Sequence, residues 1–258
     1  MKEKNSVAIV NTGSIVPNRI FALVWRILLV CCSLVGIPCI FMCSSGYYPE
    51  SQLFYFTMQT NFFVLFMFLY LVVKSIMQIV KEGTKGEVAH INPSLELFVT
   101  YGITITFLGY AVLLSSIGFT MNMGAQKEIY EAGNWLVHII VPFMAIADFV
   151  MFMPHGNVSY KQVGLWMIYP FIYLIMLIIR AAAQGTDVFV IGTKVVDGNV
   201  KVIKSLYPYF FIAFEKFPVW QSVLIVLALV VFFVLFGMLY VLIDKKLAKF
   251  NKPTNVTK

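Results

Sequence analysis

A hydroxyl becomes a usable nucleophile when a neighbouring base takes its proton, and a neutral imidazole is suited to that near pH 7. The chain places one Thr and one His of this kind inside apolar sequence, Thr57 and His138, and His138 is the only histidine in such a run. Each has a polar companion four residues away, Asn61 for Thr57 and Asn134 for His138, which puts each pair on one helical face. Tyr169, Tyr173 and Arg180 fall in a narrow stripe of a further segment. Arg180 or Asn61 could hold the oxyanion of an attacked ester, and Asn134 and Tyr173 complete the candidate substrate contacts. Each residue also has a structural reading: Thr bonding back to the i−4 carbonyl, His bonding between helices, Arg180 snorkelling to an interface.

The elements that must position these groups follow from composition. Of 258 residues, 60% are hydrophobic and only 12% charged, with a mean hydropathy of +0.86, against roughly 25% charged in soluble domains. Six stretches are long enough to cross a hydrocarbon core, near 20–42, 53–80, 95–117, 133–153, 163–183 and 219–243. The expected fold is an all-α membrane protein, one domain over 1–258, built as a six-helix transmembrane bundle. No cleavable leader is expected, since the first apolar run begins at Ile20 and continues well past an h-region. Counting from the segment ends puts Thr57, His138 and Arg180 at one level, ~6–8 Å below one boundary at ~1.5 Å per residue. Near the opposite boundary, Arg26 and Asp148 have the depth and charge to form a structural ion pair, and Lys74 can snorkel outward.

The net charge of +7 is a topology signal rather than a nucleic-acid footprint, because the basic residues sit in loops and tails. Eleven Lys/Arg fall in the termini and the even-numbered connections, against five in the others, so both termini are expected in the cytoplasm of a plasma-membrane protein. The long connection 184–218 is then external. Within it, Val188–Val196 and Val200–Lys204 flank Asp197-Gly198-Asn199, which predicts a small β-hairpin. Tyr207-Pro208-Tyr209-Phe210-Phe211 reads as an interfacial aromatic cap over the bundle's outer mouth. The four cysteines, Cys31, Cys32, Cys39 and Cys43, have neither disulfide-framework nor metal spacing and read as buried thiols. No metal or cofactor is expected; the expected partners are the membrane and a lipid substrate within it, with no nucleic acid.

The pieces Tyr55-Phe56-Thr57, Gln59-Thr60-Asn61, Asn134 through His138 with Pro142, Asp148-Phe149, Tyr169-Pro170 with Tyr173 and Arg180, and Tyr207-Pro208-Tyr209 resemble, in order and spacing, the bacterial predicted six-transmembrane (Pr-six-Pr) family. That family is distantly similar to the androgen-induced and androgen-dependent membrane hydrolases of fatty acid esters of hydroxy fatty acids. The resemblance implies a lipid-ester hydrolase with Thr57 as nucleophile and His138 as its partner. Thr60 stands where the family usually has Ser, Phe149 where Trp is common, and the hairpin near Asp197 reads as an insertion. A different class, a small transporter or lipid-binding membrane protein, would use the same polar layer to hold a solute. Transporters commonly show paired repeats with broken helices, and no such halves are visible, although Pro142 and Pro170 fall where helices four and five could break.

Overall fold

The computed structural model describes residues 13–43, 49–114, 127–185, 189–196 and 199–250. Six helices in it are long and apolar enough to cross a membrane, and together they make a multi-pass bundle. The first is α1 (Arg19–Cys43). A 3₁₀ turn over Pro49–Phe54 leads into α2 (Phe56–Glu82). The third span is α3 (Pro93–Leu108) continued by a π-helical turn, Gly109–Leu114. The fourth is α4 (Lys127–Trp135), a second π turn (Leu136–Ile140) and α5 (Val141–Phe152). The fifth is α6 (Lys161–Trp166) and α7 (Ile168–Gln184), and the sixth is α8 (Val219–Phe250).

The breaks have local causes. Pro142 has no N–H to give to the carbonyl of His138, so the helix widens there and the Val141 N–H reaches back five residues to Leu136. Pro170 likewise leaves the Trp166 carbonyl without its usual donor, and α6 passes to α7 at Met167. At the start of α3 the Asn92 side chain accepts from the amides of Ser94 and Leu95, and Pro93 occupies a first-turn position where its missing N–H costs nothing.

The central core is built from α1, α2, α3 and α5, with Leu29, Val64, Phe68, Leu71, Ile103 and Val141 among its buried members. Glycine permits the tightest crossing in it. A Cβ on Gly133 would stand 2.7 Å from Cys39 Cβ and 3.2 Å from the Gly36 carbonyl oxygen, so α1 and α4 touch backbone to backbone. At one end of the bundle, Arg19 bonds the carbonyls of Gly83 and Glu87 and pairs with Glu82 at 2.6 Å. His155 pairs there with Asp244 at 3.1 Å, and Gly156 N–H donates to the same carboxylate, which fastens the end of α8 to the α5–α6 loop.

The last helix is attached unevenly. Gly237, Tyr240, Val241 and Asp244 are buried, whereas no residue of α8 from Val219 to Phe236 is. Gly237 makes the attachment possible, since an added Cβ would lie 2.8 Å from Val163 of α6. Between α7 and α8, strands β1 (Phe189–Val196) and β2 (Asn199–Ser205) form an antiparallel hairpin at the end opposite both termini. Asn199 pairs with Val196 and belongs to the strand rather than to the turn; Asp197 and Gly198 lie outside the described residues. The hairpin's base is buried at Phe189, Val190 and Ser205, so it is part of the packed body at that end.

Several boundaries differ from the sequence reading. The second span begins at Phe56, not Leu53, because Pro49–Phe54 forms the 3₁₀ turn. The fourth begins at Lys127 rather than Gly133, and the sixth runs on to Phe250 because amphipathic lysines continue the helix beyond the apolar run. Residues 115–117, expected to end the third span, lie outside the described residues. The thiols are not all buried: Cys31 is exposed on α1, and Cys32 and Cys39 are half-buried.

Candidate functional site

Thr57 is the second residue of α2, in the first turn, where helix amides have no intrahelical acceptor. Its N–H points to the Tyr209 hydroxyl at 3.5 Å, and the same phenol contacts the hydroxyls of Thr57 and Tyr173. Tyr173 in turn donates to the Phe54 carbonyl at 2.8 Å. Burial pushes the Tyr209 phenol above its ordinary value, with its contacts to Thr57 pulling the other way, so it stays an uncharged O–H donor at neutral pH. Tyr55, whose ring meets Tyr209 edge-on, is raised by burial in the same manner.

Thr57, Tyr173 and Tyr209 line an apolar cavity of about 400 Å³. Its walls come from the end of α3 (Ile105, Thr106, Gly109), from α7 between Met167 and Leu174, and from α8 between Val226 and Phe233. Thr106 is committed within the protein, its hydroxyl lying 2.8 Å from that of Thr60. Among the described residues, no charged side chain lines the cavity.

Thr57 and Tyr173 line this cavity; His138, Asn61, Asn134 and Arg180 do not. Asn61 donates to the carbonyls of Thr57 (2.9 Å) and Val137 (3.1 Å), so its amide joins the first turns of α2 to the π turn that carries His138. Arg180 lies near the loops. Its guanidinium sits 4.4 Å over the Phe189 ring and 5.2 Å over Phe54, and Nη1 donates to the Leu206 carbonyl at 2.7 Å. These contacts tie the hairpin and the following loop to α7. Arg180 Nε and Asn61 Oδ1 are both buried without a hydrogen-bond partner among the described residues.

His138 occupies the π turn of the fourth span and stacks on Tyr110, in the π turn of the third, with ring centroids 4.4 Å apart. Asn134 donates to the Tyr110 hydroxyl at 2.9 Å. His138 Nδ1 lies 3.1 Å from the Asn134 carbonyl oxygen, an acceptor only, so Nδ1 carries the proton and Nε2 of the neutral ring keeps its lone pair. Two π turns meeting at one histidine is the arrangement often found where helices are distorted for function.

Near the other end, Arg26 and Asp148 form a two-pronged pair, Nε to Oδ2 at 2.9 Å and Nη2 to Oδ1 at 3.2 Å, completed by Ser75 and the Ala89 carbonyl. Lys74 bonds the His90 carbonyl. Buried Glu96, which accepts from the Ile91 amide, and the His155–Asp244 pair were not visible as intramembrane charges in the sequence, because they fall at or beyond the expected span ends. Tyr209 and Tyr110 were missed as site residues; the Tyr207-Pro208-Tyr209 aromatics were read as an interfacial cap and as part of the family resemblance, without a role at the site. Among the described residues, no group of three or more His, Cys, Asp or Glu is placed to hold a metal ion.

Fold and site together define the class, a six-span membrane protein with an apolar cavity inside its bundle. The comparisons with known proteins add no name: no family model, curated protein or solved structure matches the chain.

Proposed function

We propose that the protein is a membrane-embedded hydrolase of lipid esters, fatty acid esters of hydroxy fatty acids or similar, with Thr57 as nucleophile and His138 as base. The observation that carries this reading is that Thr57 lines an apolar cavity from the first turn of a 27-residue helix. An acyl chain in the cavity would bring its ester carbonyl to Thr57, with the positive end of the α2 dipole and the Tyr209 O–H beside the developing oxyanion. In the first half-reaction Thr57 Oγ bonds to the carbonyl carbon, its proton passes to His138 Nε2, and the ester C–O bond breaks as that proton reaches the leaving alcohol. Water then repeats the sequence on the acyl-threonine and releases the acid. The sequence resemblance supports the same two residues. The excess of basic residues at the end holding both termini supports a cytoplasmic location for that end.

A second reading is favoured by one observation: His138 is not among the residues that line the cavity. On that reading the protein binds a lipid without turning it over. Purified protein incubated with a panel of lipid esters, wild type against Thr57→Ala and Thr57→Ser, separates the two. The enzyme reading expects turnover that Thr57→Ala abolishes and Thr57→Ser partly keeps; equal turnover by wild type and Thr57→Ala would refute it.

A further inference from the structure

The cavity lies where α7 and α8 part. Near one end α8 is clamped to α6, Gly237 against Val163 and Trp166, while its half from Val219 to Phe236 has no buried residue. Across the resulting gap, Phe171 of α7 and Phe232 of α8 both line the cavity and are 45% and 42% exposed, so they form an edge that opens sideways rather than toward either loop end. In a bilayer that edge faces hydrocarbon, not water. On each helix the lining stretch covers seven residue steps, Met167–Leu174 and Val226–Phe233, which is ~10 Å along the axis. The volume, about 400 Å³, falls near the low end of the ~300–1,000 Å³ of ligand pockets, room for one chain and not two.

We propose that the gap between α7 and α8 is a lateral portal through which a single-chain neutral lipid, one acyl chain carrying an uncharged ester, passes from the membrane interior into the cavity with its ester toward Thr57. The chemistry of the wall selects this occupant. An ionised headgroup drawn inside would lose its hydration and meet no counter-charge, whereas an ester carbonyl asks for one O–H or N–H donor, and Tyr209 and the first-turn amides of α2 supply such donors. A hydrocarbon chain entering from the bilayer leaves one apolar medium for another, so entry costs little desolvation and selectivity falls on the polar end and on width. The proposal rests on the hydrolase reading and narrows its substrates to neutral monoesters, since a fatty acid ester of a hydroxy fatty acid has a free carboxylate and a second chain that this cavity does not suit, but the portal binds such a lipid whether or not Thr57 then cleaves it.

The test uses the full chain in phosphatidylcholine nanodiscs with a diazirine-bearing fatty acid monoester as probe, adducts being mapped by mass spectrometry. Adducts several-fold enriched on Phe171, Leu174, Val230 and Phe233 over the lipid-facing Leu224, Leu235 and Leu239, and competed away by unlabelled monoester, are the expected result. Leu174→Trp and Val230→Trp, on opposite sides of the gap, should each lower cavity labelling several-fold, while Leu235→Trp on the outer face leaves it unchanged. Labelling spread evenly over α8, or undiminished in both lining variants, overturns the portal. Hydrolysis is read in parallel. Cavity labelling without Thr57-dependent hydrolysis overturns only the enzyme reading, and Thr57-dependent hydrolysis that both Trp variants leave intact overturns only the portal.

Discussion

Replacing Asp148 by Asn keeps the side chain's shape and removes its charge, which isolates what the Arg26 pair does for the bundle. Arg26 is fully buried, its guanidinium held by both Asp148 oxygens, by Ser75 Oγ at 3.3 Å and by the Ala89 carbonyl at 2.6 Å, with the Phe152 ring 5.8 Å away. Asp148→Asn leaves that cation buried with neutral partners only. Breaking a buried pair from one side costs ~3–5 kcal/mol. At ~2–4 °C per kcal/mol for a protein of this size, the expected drop in Tm is roughly 6–20 °C. Arg26→Met should cost a similar amount, since Asp148 then keeps a buried charge without its partner. The double variant, Arg26→Met with Asp148→Asn, removes both charges of the pair and should regain much of the loss, giving a coupling of at least ~2 kcal/mol in the double-mutant cycle. Thermal unfolding of detergent-solubilised protein, followed by tryptophan fluorescence, measures all four corners. If the double variant loses the sum of the single losses, the pair is not coupled and the reasoning is wrong.

Other expectations are simpler. Gly133→Val puts branches where Cys39 Cβ and the Gly36 carbonyl already touch, and it should lower stability by ~1–3 kcal/mol or drive α1 and α4 apart, read by the same melting assay. Asn92→Ala removes the acceptor for two first-turn amides of α3 and should cost about 1 kcal/mol, with Asn92→Asp retaining most of it. Arg180→Met loses the bond to Leu206 and the two aromatic faces, so hydrogen exchange across β1 and β2 should speed up while the exchange of the buried centre of α2 is unchanged.

The bundle was legible in the sequence because apolar length is what a membrane demands, and 20-residue runs separated by polar loops carry that directly. The hairpin was legible because β-branched runs around Asp-Gly leave few alternatives. What stayed hidden depended on where helices begin. Counting from apolar boundaries put Leu53 inside the second span and Gly133 at the head of the fourth. The polar stretch Lys127–Ala132 nevertheless continues the helix, because Gly133 and Gly36 let α4 pack closely along α1. A few residues at each end put Thr57 in the first turn of α2 and His138 well inside the fourth span. The charged groups at span ends, Glu96 and Asp244, were passed over for the same reason: hydropathy locates a helix by its middle, and tertiary partners decide its ends.

The placement of His138 shows how one residue type can reshape a site from a distance in sequence. Pro142 cannot donate to the His138 carbonyl, and the chain answers by widening into a π turn that rotates the imidazole onto Tyr110. Tyr110 itself sits in the neighbouring π turn, directly after Gly109, which lines the cavity. The imidazole and the cavity are therefore separated by a single residue step in α3's continuation and by the Asn61 amide in α2. Restoring a donor with Pro142→Ala should let the fourth span return toward regular α-helix, turning the His138 ring by the part of a turn that the extra π residue inserts. If His138 serves Thr57 as base, this change should lower turnover of lipid esters with little loss of binding, a fall in kcat rather than a rise in KM. Unchanged kcat together with loss of the Tyr110–His138 stacking would show that the ring's position is structural, and the base would have to be sought elsewhere.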